Sequence, residues 1–332
     1  MRQTEIKLTY SYKEKKKDIS KDITKYLMSF TYMDAASGSK DDLNIKLEDR
    51  YGLWKGDWLP SKGAELEAEI NFENKVLKCG KFTLDDISFS GPPDVVSLKA
   101  ITSVGGTSVE GTKKQKTREN ITLEALLKEI AEKNGLQFYY DCDKAINLEK
   151  TKQAEETDLG YLKRLCDETG LKMKISNKMV IIFEAKKADR ANSKFTLEKG
   201  KSNIISYSFN TKLHEIYKSC KVKYQEVGSK DFKEFTYTPD NPPESGKILV
   251  KKRLVKSIAE TEDAAKSELR MANQNEVTGN LSVVGDPLLI AGVCIDLKGF
   301  KTFDGKYYIN QVTHTIGSGY TTGLSIRKVL DY

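Results

Sequence analysis

The sequence has few of the residues on which catalytic and metal sites depend. It contains two histidines and five cysteines among 332 residues. The cysteines stand far apart, at Cys79, Cys142, Cys166, Cys220 and Cys294. No C-x-x-C pair occurs and the number is odd, which argues against a disulfide framework or a zinc ribbon. We therefore expect reduced thiols in a protein that folds in the cytosol.

Long apolar segments are also missing. The N-terminal stretch MRQTEIKLTYSYKEKKK lacks the apolar core of a secretory signal peptide. The longest apolar run, residues 288–295, is too short to span a bilayer. We expect assembly in the cytoplasm without a signal peptide, and no insertion into a membrane.

Charge is spread along the chain rather than concentrated. Charged residues make up 31% and hydrophobic residues 38% of the sequence, which is a globular composition. The net charge is +7, and the short basic clusters at residues 15–17 and 113–116 have no interleaved aromatic side chains. This pattern argues against a dedicated nucleic-acid site.

Known catalytic and metal-binding motifs are absent from the sequence. Neither G-x-S-x-G nor H-E-x-x-H occurs, and no phosphate-binding loop is found. Residues 141–143, Asp-Cys-Asp, begin like a calcium loop, but Ala145 and Ile146 stand where an oxygen ligand and the turn glycine belong. His214 has Glu215 as its near acidic neighbour. We therefore predict no catalytic residue, no metal and no cofactor, with both histidines structural or at the surface.

Hydrophobic patterning divides the chain into β-rich ends and a mixed middle. Alternating apolar and polar side chains predict strands at both ends. In the middle, two amphipathic patterns predict helices that begin after Thr122 and Thr157, the second ending at Gly170. A hairpin turning at Ser176-Asn177 follows. The predicted organisation is a first β region (1–105), a linker (106–117), an α+β insertion domain (118–190), and a second β region (195–332) with a loop at 238–247 and a helix at 258–275.

A short repeat links the two β regions. Residues 80–89 read GKFTLDDISF and residues 305–314 read GKYYINQVTH. In both, apolar or ring residues follow the glycine at steps two, four, seven and nine. The step from four to seven breaks the two-residue period of a strand, as one extra residue in a β-bulge would do. We therefore predict matched bulges at Asp85-Asp86 and Asn310-Gln311 in a duplicated β-barrel domain.

The repeat gives His314 a structural interpretation. Its counterpart is Phe89, so the position requires a ring rather than a proton shuttle. Trp54 and Trp58 are interpreted as core or interface anchors. We assign a structural motif to the tryptophan loop and the repeated strands: Trp58, Pro60, Gly63, Gly80, Phe82, Phe89, Gly292, Gly305, Tyr307 and His314.

Several segments resemble the late control gene D family of phage proteins. In the first β region these are SFTYMD, DDLNIKLEDR, WKGDWLPSKG and CGKFTLDDISFSGPP. In the middle they are TLEALLKEIAEKNGL and QAEETDLGYLKRLCDETGL. At the end they are GDPLLIAGVCIDLKGF and DGKYYINQVTHTIGSGYTTGLSIRK. Members of this family are baseplate or tail hubs of contractile phage tails, and similar hubs occur in phage-tail-like bacteriocins and type VI secretion spikes.

The resemblance implies an α+β fold with two tail-tube-like β-barrel domains per chain and a small α+β insertion domain between them. It implies a homotrimer whose six barrels form a pseudo-six-fold ring joining the six-fold tail tube to the three-fold central spike. Further implied partners are baseplate wedge proteins and the tape measure protein, with nucleic acid only passing through the lumen of a DNA-carrying phage. The implied mature location is the baseplate of a virion or particle.

Other interpretations stay open. The sequence ends soon after the last strand, so we expect the spike and any lysin to be separate chains. A cell-wall-degrading tail enzyme is the alternative function, and a DNA-contacting protein is a third. The sequence does not distinguish a phage from a DNA-free bacteriocin.

Overall fold

The computed structural model describes residues 4–102, 111–143, 145–225, 232–244, 246–254 and 258–332. In the first β region the elements are β1 (Thr4–Tyr12), β2 (Lys15–Asp18), α1 (Ser20–Tyr26), β3 (Leu27–Ala35), β4 (Asp42–Glu48), β5 (Glu65–Phe72), β6 (Lys75–Ser90) and β7 (Val95–Ile101). Strand β5 shows why these segments are strands, because every second side chain of ELEAEINF is buried.

The middle region alternates strands and helices. Its elements are β8 (Lys114–Thr122), α2 (Leu123–Lys133), β9 (Gln137–Asp141), β10 (Asn147–Glu156), α3 (Asp158–Thr169), β11 (Leu171–Ser176), β12 (Met179–Glu184) and α4 (Ala185–Arg190). The predicted caps are confirmed: the Thr122 side chain accepts from Ala125 N, and that of Thr157 accepts from Gly160 N. Gly170 ends α3 in the left-handed conformation.

Two details of the middle region differ from the sequence prediction. Strand β8 begins at Lys114, so residues 114–117 are not linker. Residues 106–110 of the predicted linker lie outside the described residues, and residues 111–113 contain no helix or strand. Strand β8 pairs with β10 in a two-stranded ribbon whose side chains are mostly exposed, so it carries no apolar alternation to detect. The hairpin turns at Asn177-Lys178, one residue later than predicted, with positive φ at both positions.

The last region returns to strands. Its elements are β13 (Phe195–Glu198), β14 (Ile204–Thr211), β15 (Ser219–Gln225), β16 (Phe232–Tyr237), β17 (Ile248–Leu254), α5 (Ile258–Asn273), β18 (Val277–Val284), β19 (Cys294–Lys298), β20 (Gly305–Ile316) and β21 (Tyr320–Lys328). The predicted loop at 238–247 has no helix or strand in its described residues, and the predicted helix at 258–275 is α5.

One sheet of thirteen strands runs through both β regions. Its order is β14-β18-β21-β20-β3-β4-β7-β6-β5-β1-β2, with β19 on β20 and β13 on β19. No closed barrel is found within the described ranges, where the strands of both β regions form one continuous sheet. The expected arrangement of two separate barrels is therefore not confirmed. Two apolar cores lie along it, one that includes Phe30, Ile45 and Phe82, and another that includes Ile295, Tyr307 and Ile309.

The sheet contains the same five-stranded unit twice. The first unit has the order β3-β4-β7-β6-β5, and the second has the order β14-β18-β21-β20-β19. Both predicted bulges are confirmed: the pairing of β6 with β7 shifts between Leu84 and Asp86, and that of β20 with β21 shifts between Ile309 and Gln311. The shifts occur at matching positions, which supports a duplication.

A second pair of matched irregularities was not predicted. The pairing of β3 with β4 shifts between Leu27 and Ser29, and that of β14 with β18 shifts between Ile204 and Ser206. Aligning these shifts sets LMSFTY, residues 27–32, against IISYSF, residues 204–209. The duplication therefore extends to the first strand of each unit.

The repeated glycines share a backbone conformation. Gly80 and Gly305 have φ values of +105° and +133°, in the region that side chains rarely adopt. A Cβ at Gly80 would also collide with the Asn177 side chain, which accepts a hydrogen bond from Lys81 N at 3.3 Å. Glycine is thus required at the start of both repeated motifs.

We expect Gly80→Ala and Gly305→Ala each to lower the free energy of unfolding by about 1–3 kcal/mol because of this backbone strain. Urea denaturation measures the change. Gly246→Ala is the matched control, since φ is not positive there and no atom lies within 4 Å of its added Cβ. Equal effects at all three positions would contradict the assignment.

Candidate assembly surfaces

The two repeated units meet where β20 pairs with β3. Residues 311–316 lie antiparallel to residues 30–35, while the other edge of β20 pairs with β21. We call this pairing the internal seam. His314 stands directly opposite Tyr32 within it, and the two side chains are 0% and 5% exposed. The seam is therefore a buried joint between the units.

His314 is a neutral structural ring in the seam. Its Nε2 lies 3.1 Å from the backbone oxygen of Leu289, and its Nδ1 lies 2.8 Å from the hydroxyl of Tyr320. Because a carbonyl oxygen can only accept, Nε2 is assigned the proton and Nδ1 accepts from Tyr320. Burial lowers the pKa of His314 to about 4. Both ring nitrogens are thus occupied by hydrogen bonds inside the fold.

Three rings from both units stack across the internal seam. Tyr32 contacts Phe82 of its own unit edge to face, with ring centroids 5.8 Å apart. On its other side Tyr32 stacks on His314, at 6.0 Å and an interplanar angle of 8°. In the second unit, Phe209 and Tyr307 take the positions of Tyr32 and Phe82 and lie 6.2 Å apart. The second unit therefore repeats the contact between Tyr32 and Phe82.

The two segments that match the seam strands each have one unpaired edge in the described residues. Strand β14 matches β3 but pairs along one edge, with β18. In β6, residues 86–90 match the seam residues of β20 and also pair along one edge, with β7. No backbone partner occupies the other edge of either segment in the described part of the chain. Phe89 and Tyr207 are 39% and 43% exposed, whereas their counterparts His314 and Phe30 are buried.

The remaining predicted motif residues fall into two groups. Phe82 and Tyr307 are buried at equivalent positions, and Gly63 and Gly292 both have positive φ before β5 and β19. Gly80 and Gly305 start the repeated motif in β6 and β20. The tryptophan loop is separate from these residues: Trp58 is 38% exposed and packs edge to face on the buried Trp54 at 5.5 Å. Pro60 lines a cavity of about 270 Å³ beside this pair.

The insertion domain is anchored on the first unit beside the seam. Lys174 Nζ lies 2.5 Å from Asp34 Oδ1, and the other oxygen of Asp34 accepts from Ala291 N at 2.8 Å. Asp34 thus joins the insertion domain, β3 and the segment before β19. Lys163 adds a bond to the backbone oxygen of Gly38 at 3.2 Å.

A buried ion cluster anchors the insertion domain on the second unit. Asp189 at the end of α4 accepts from Arg327 of β21 and from Arg270 of α5, each at 2.6 Å. Asp189 and Arg327 are 3% and 5% exposed. Arg327 also lies over the ring of Tyr308 at 4.6 Å. Two arginines and one carboxylate thus hold three elements together.

Sequence reasoning did not identify either anchor. Asp34, Lys174, Asp189 and Arg327 lie in segments where charged residues are common, and no spacing marks them as paired. Their partners are separated by more than 130 residues. Burial alone distinguishes them, and burial becomes visible only after folding.

The described residues offer no evident metal or catalytic constellation. No group of three His, Cys, Asp or Glu side chains that could hold a metal occurs among them. A cleft of about 560 Å³ lies around Asp189, next to the anchoring arginines. His214 is exposed, and its Nδ1 lies 3.3 Å from Lys247 Nζ. Within the described ranges, no helix has the length and apolarity that crossing a membrane requires.

Two curated phage proteins are similar to this chain. A probable baseplate hub protein of Escherichia phage P2 is 29% identical over 180 residues, covering 54% of this chain and 46% of that protein. A probable baseplate hub protein of Escherichia phage 186 is 27% identical over 179 residues, covering 53% and 45%. The chain thus matches about half the length of these relatives. The resemblance to baseplate hub proteins is confirmed, although no family model matches the sequence.

Solved structures of tail proteins have the same fold. A tail protein from Neisseria meningitidis MC58 superposes with a TM-score of 0.71 at 12% identity, covering 98% of this chain and 97% of that one. A 43 kDa tail protein of prophage MuSo2 from Shewanella oneidensis gives 0.72 at 10% identity, covering 97% and 98%. The mostly β fold of this chain is therefore similar to the fold of these two tail proteins.

Acid should weaken the fold through His314. Its pKa is about 4 when folded and near 6.5 when unfolded, so the unfolded chain binds the proton more readily. Stability is lost as the pH falls from 6.5 towards 4, by up to about 3 kcal/mol. Burial raises the pKa of Asp41 to about 6, so Asp41 titrates in the same pH range. The contribution of His314 is therefore isolated by comparing the pH profile of a His314 variant with that of the unmodified chain.

We expect His314→Phe to lose this acid-dependent step. It should also lower stability at neutral pH by about 1–3 kcal/mol, since Leu289 O and Tyr320 lose their partner. Urea denaturation at several pH values measures both effects, and His214→Gln at the surface should keep the step. An unchanged pH profile in His314→Phe would refute the role assigned to His314.

Removing the charge of Asp189 should loosen the second anchor. We expect Asp189→Asn to lower the free energy of unfolding by about 3–5 kcal/mol, because two arginines then lose their buried counter-charge. Asp143→Asn is the control, since Asp143 pairs with Lys187 at an exposed site where such pairs contribute little. Similar unfolding midpoints for the two variants would contradict this assignment.

Proposed function

We propose that this chain is a baseplate hub of a contractile tail or tail-like particle. The observation that carries the proposal is the duplicated five-stranded unit, with its bulges at matching places in β6 and β20. A chain with two similar units can present two similar docking surfaces to a six-fold partner. The similarity to the baseplate hub proteins of phages P2 and 186 supports the same conclusion.

The proposed assembly is a homotrimer. Three chains, each with two units, place six similar units around one axis, while the whole retains three-fold symmetry. Such a ring can join a six-fold tail tube on one side to a three-fold central spike on the other. The internal seam supports this geometry, since it shows how one unit attaches to the next through strand edges.

Within this proposal the regions have distinct roles. Residues 1–105 and 195–332 form the two tube-like domains, and residues 118–190 form an adaptor anchored by Asp34 and Asp189. The motif from Gly63 to Phe89, and its repeat from Gly292 to His314, builds the wall of the ring. Trp58 and Pro60 contact a neighbouring baseplate protein at the surface, in keeping with the partial exposure of Trp58.

The proposed partners are the tail tube protein, the central spike, baseplate wedge proteins and the tape measure protein, in a virion or particle baseplate. DNA would pass through the lumen only in a DNA-carrying phage. The proposed role is structural and non-catalytic, in keeping with the names of the relatives. Nothing observed in the described residues favours the alternative of a cell-wall-degrading enzyme.

Electron cryomicroscopy of the full chain, co-expressed with the tail tube protein of the same genome, tests this function. We expect a ring of three chains that shows six similar lobes and stacks on the tube. As a control, the tube protein expressed alone should lack the three-fold cap. A complex of another symmetry, or a chain that never joins the tube, would refute the proposal.

A further inference from the structure

The internal seam provides a template for a joint that one chain cannot complete. It uses one edge of β20 and the outer edge of β3. The matching edge in the first unit is that of β6 at residues 86–90, and the matching outer edge in the second unit is that of β14. The chain therefore leaves two half-seams without a partner in the described residues, one on β14 at the end of the sheet and one on residues 86–90 of β6.

On the free edge of β14, backbone N–H groups point away from β18 at the positions that match the seam residues of β3. Ala36 N donates to Asn310 O at 2.8 Å, so Asp34 and Tyr32 direct their backbone groups toward β20. In β14, Lys212 N donates to Glu276 O at 2.9 Å, so alternation turns the N–H groups of Thr211 and Phe209 away from β18. These are the positions that match Asp34 and Tyr32.

The backbone of β6 just before its bulge makes the same hydrogen bonds as the matching part of β20. Leu84 N donates to Ala64 O at 2.8 Å, and Gly63 N donates to Leu84 O at 2.9 Å. In the second unit, Ile309 bonds to Val293 and to Gly292 in the same pattern, at 2.9 Å each. In β20 the chain then bulges and pairs with β3 along this edge. In β6 it bulges in the same way and meets no partner in the described residues.

We propose that β6 of one chain pairs antiparallel with β14 of a second copy, in the register of the internal seam. This inference rests on the proposed hub function and specifies how its ring closes. Transferring the register sets five residues against five others: Asp86 opposite Lys212, Ile87 opposite Thr211, Ser88 opposite Asn210, Phe89 opposite Phe209, and Ser90 opposite Ser208.

Side-chain chemistry fits this register. Phe209 already contacts Tyr307 on one side, and Phe89 of the second copy supplies the ring that His314 supplies to Tyr32 in the internal seam. Asp86 meets Lys212, so opposite charges face each other at one end of the joint. Pairing would bury Phe89. It would also satisfy the unpaired backbone N–H and C=O groups of the edge strand β14, which can otherwise pair with other chains.

Head-to-tail pairing of this kind uses two different surfaces of each chain. Such an interface forms a ring when its rotation closes and a filament when it does not. Three chains then contain three internal seams and three intermolecular ones. The occupant of the free edge is thus a second copy, and no other partner is needed to satisfy the backbone there.

Disulfide trapping tests the register. Since Ala36–Asn310 is a hydrogen-bonded pair, Thr313–Met33 is a non-hydrogen-bonded one, and so is its counterpart Ser88–Asn210. Cα atoms in such pairs lie about 4.5 Å apart, within the range for a disulfide. A mixture of Ser88→Cys and Asn210→Cys chains should therefore give covalent dimers under mild oxidation.

Controls separate the register from chance contact. Each single variant alone should give no dimer, which also covers the native cysteines. A mixture of Ser88→Cys with Thr211→Cys should give none, because neighbouring side chains on a strand point to opposite faces. Dimers from this second mixture, without dimers from the first, would overturn the register.

Phe89→Asp provides a second measurement that does not depend on a disulfide. We expect it to raise the dissociation constant of the assembly at least about tenfold in sedimentation experiments, because it buries a charge against Phe209. Tyr139→Asp, at another exposed aromatic of the insertion domain, should leave association unchanged. Circular dichroism checks that both variants fold, as expected from the exposure of both rings.

The outcomes distinguish this inference from the hub function. Trimers that form without the Ser88–Asn210 cross-link, or that tolerate Phe89→Asp, overturn the strand pairing while the hub function stands. A chain that stays monomeric at its highest soluble concentration and forms no cross-link also overturns self-pairing. Failure to join the tail tube would instead refute the hub function, whatever the cross-linking result.

Discussion

The structure depends on the antiparallel pairing of β20 with β3. Residues 311–316 have strand neighbours on both edges, so every backbone N–H and C=O there can be satisfied inside the sheet. This pairing brings Tyr32 against His314 and places Asp34 where it binds both Lys174 and Ala291. Without this pairing, the two β regions would not share one sheet.

The bulges explain why the joint forms where it does. One extra residue at Asn310 reverses the face to which later side chains of β20 point, so Val312 and His314 are buried beyond the bulge. The same shift in β6 turns Ile87 and Phe89 toward the corresponding face. A strand that continued without a bulge would present its polar side chains at the joint instead.

The sequence was informative where a rule acts locally. The bulges follow from the spacing of apolar residues in GKFTLDDISF and GKYYINQVTH, and the caps at Thr122 and Thr157 follow from side chains next to their own helices. The internal seam could not be predicted, because Tyr32 and His314 are almost three hundred residues apart and neither carries a mark of its partner. Strand β8 was missed because its side chains are mostly exposed rather than alternately buried. Two of them form ion pairs, Lys116 with Glu129 of α2 and Glu119 with Lys150 of β10.

The match between β3 and β14, the first strands of the two units, was not predicted for a different reason. LMSFTY and IISYSF exchange phenylalanine for tyrosine, and no glycine marks their start, so only the matched register shifts align them. Expectation and structure also differ over closure. Alternating strands predict that one face is buried, but they do not determine whether a sheet closes on itself or continues into the next unit.

The tandem arrangement has a consequence for how fast such a sheet can be built. Because the chain itself connects the two sides of the internal seam, they meet at an effective concentration set by the intervening residues rather than by protein abundance. This joint therefore forms during folding, as a first-order event, and does not come apart on dilution. Any joint between separate chains is a second-order event, so its formation depends on protein concentration whereas that of the internal seam does not.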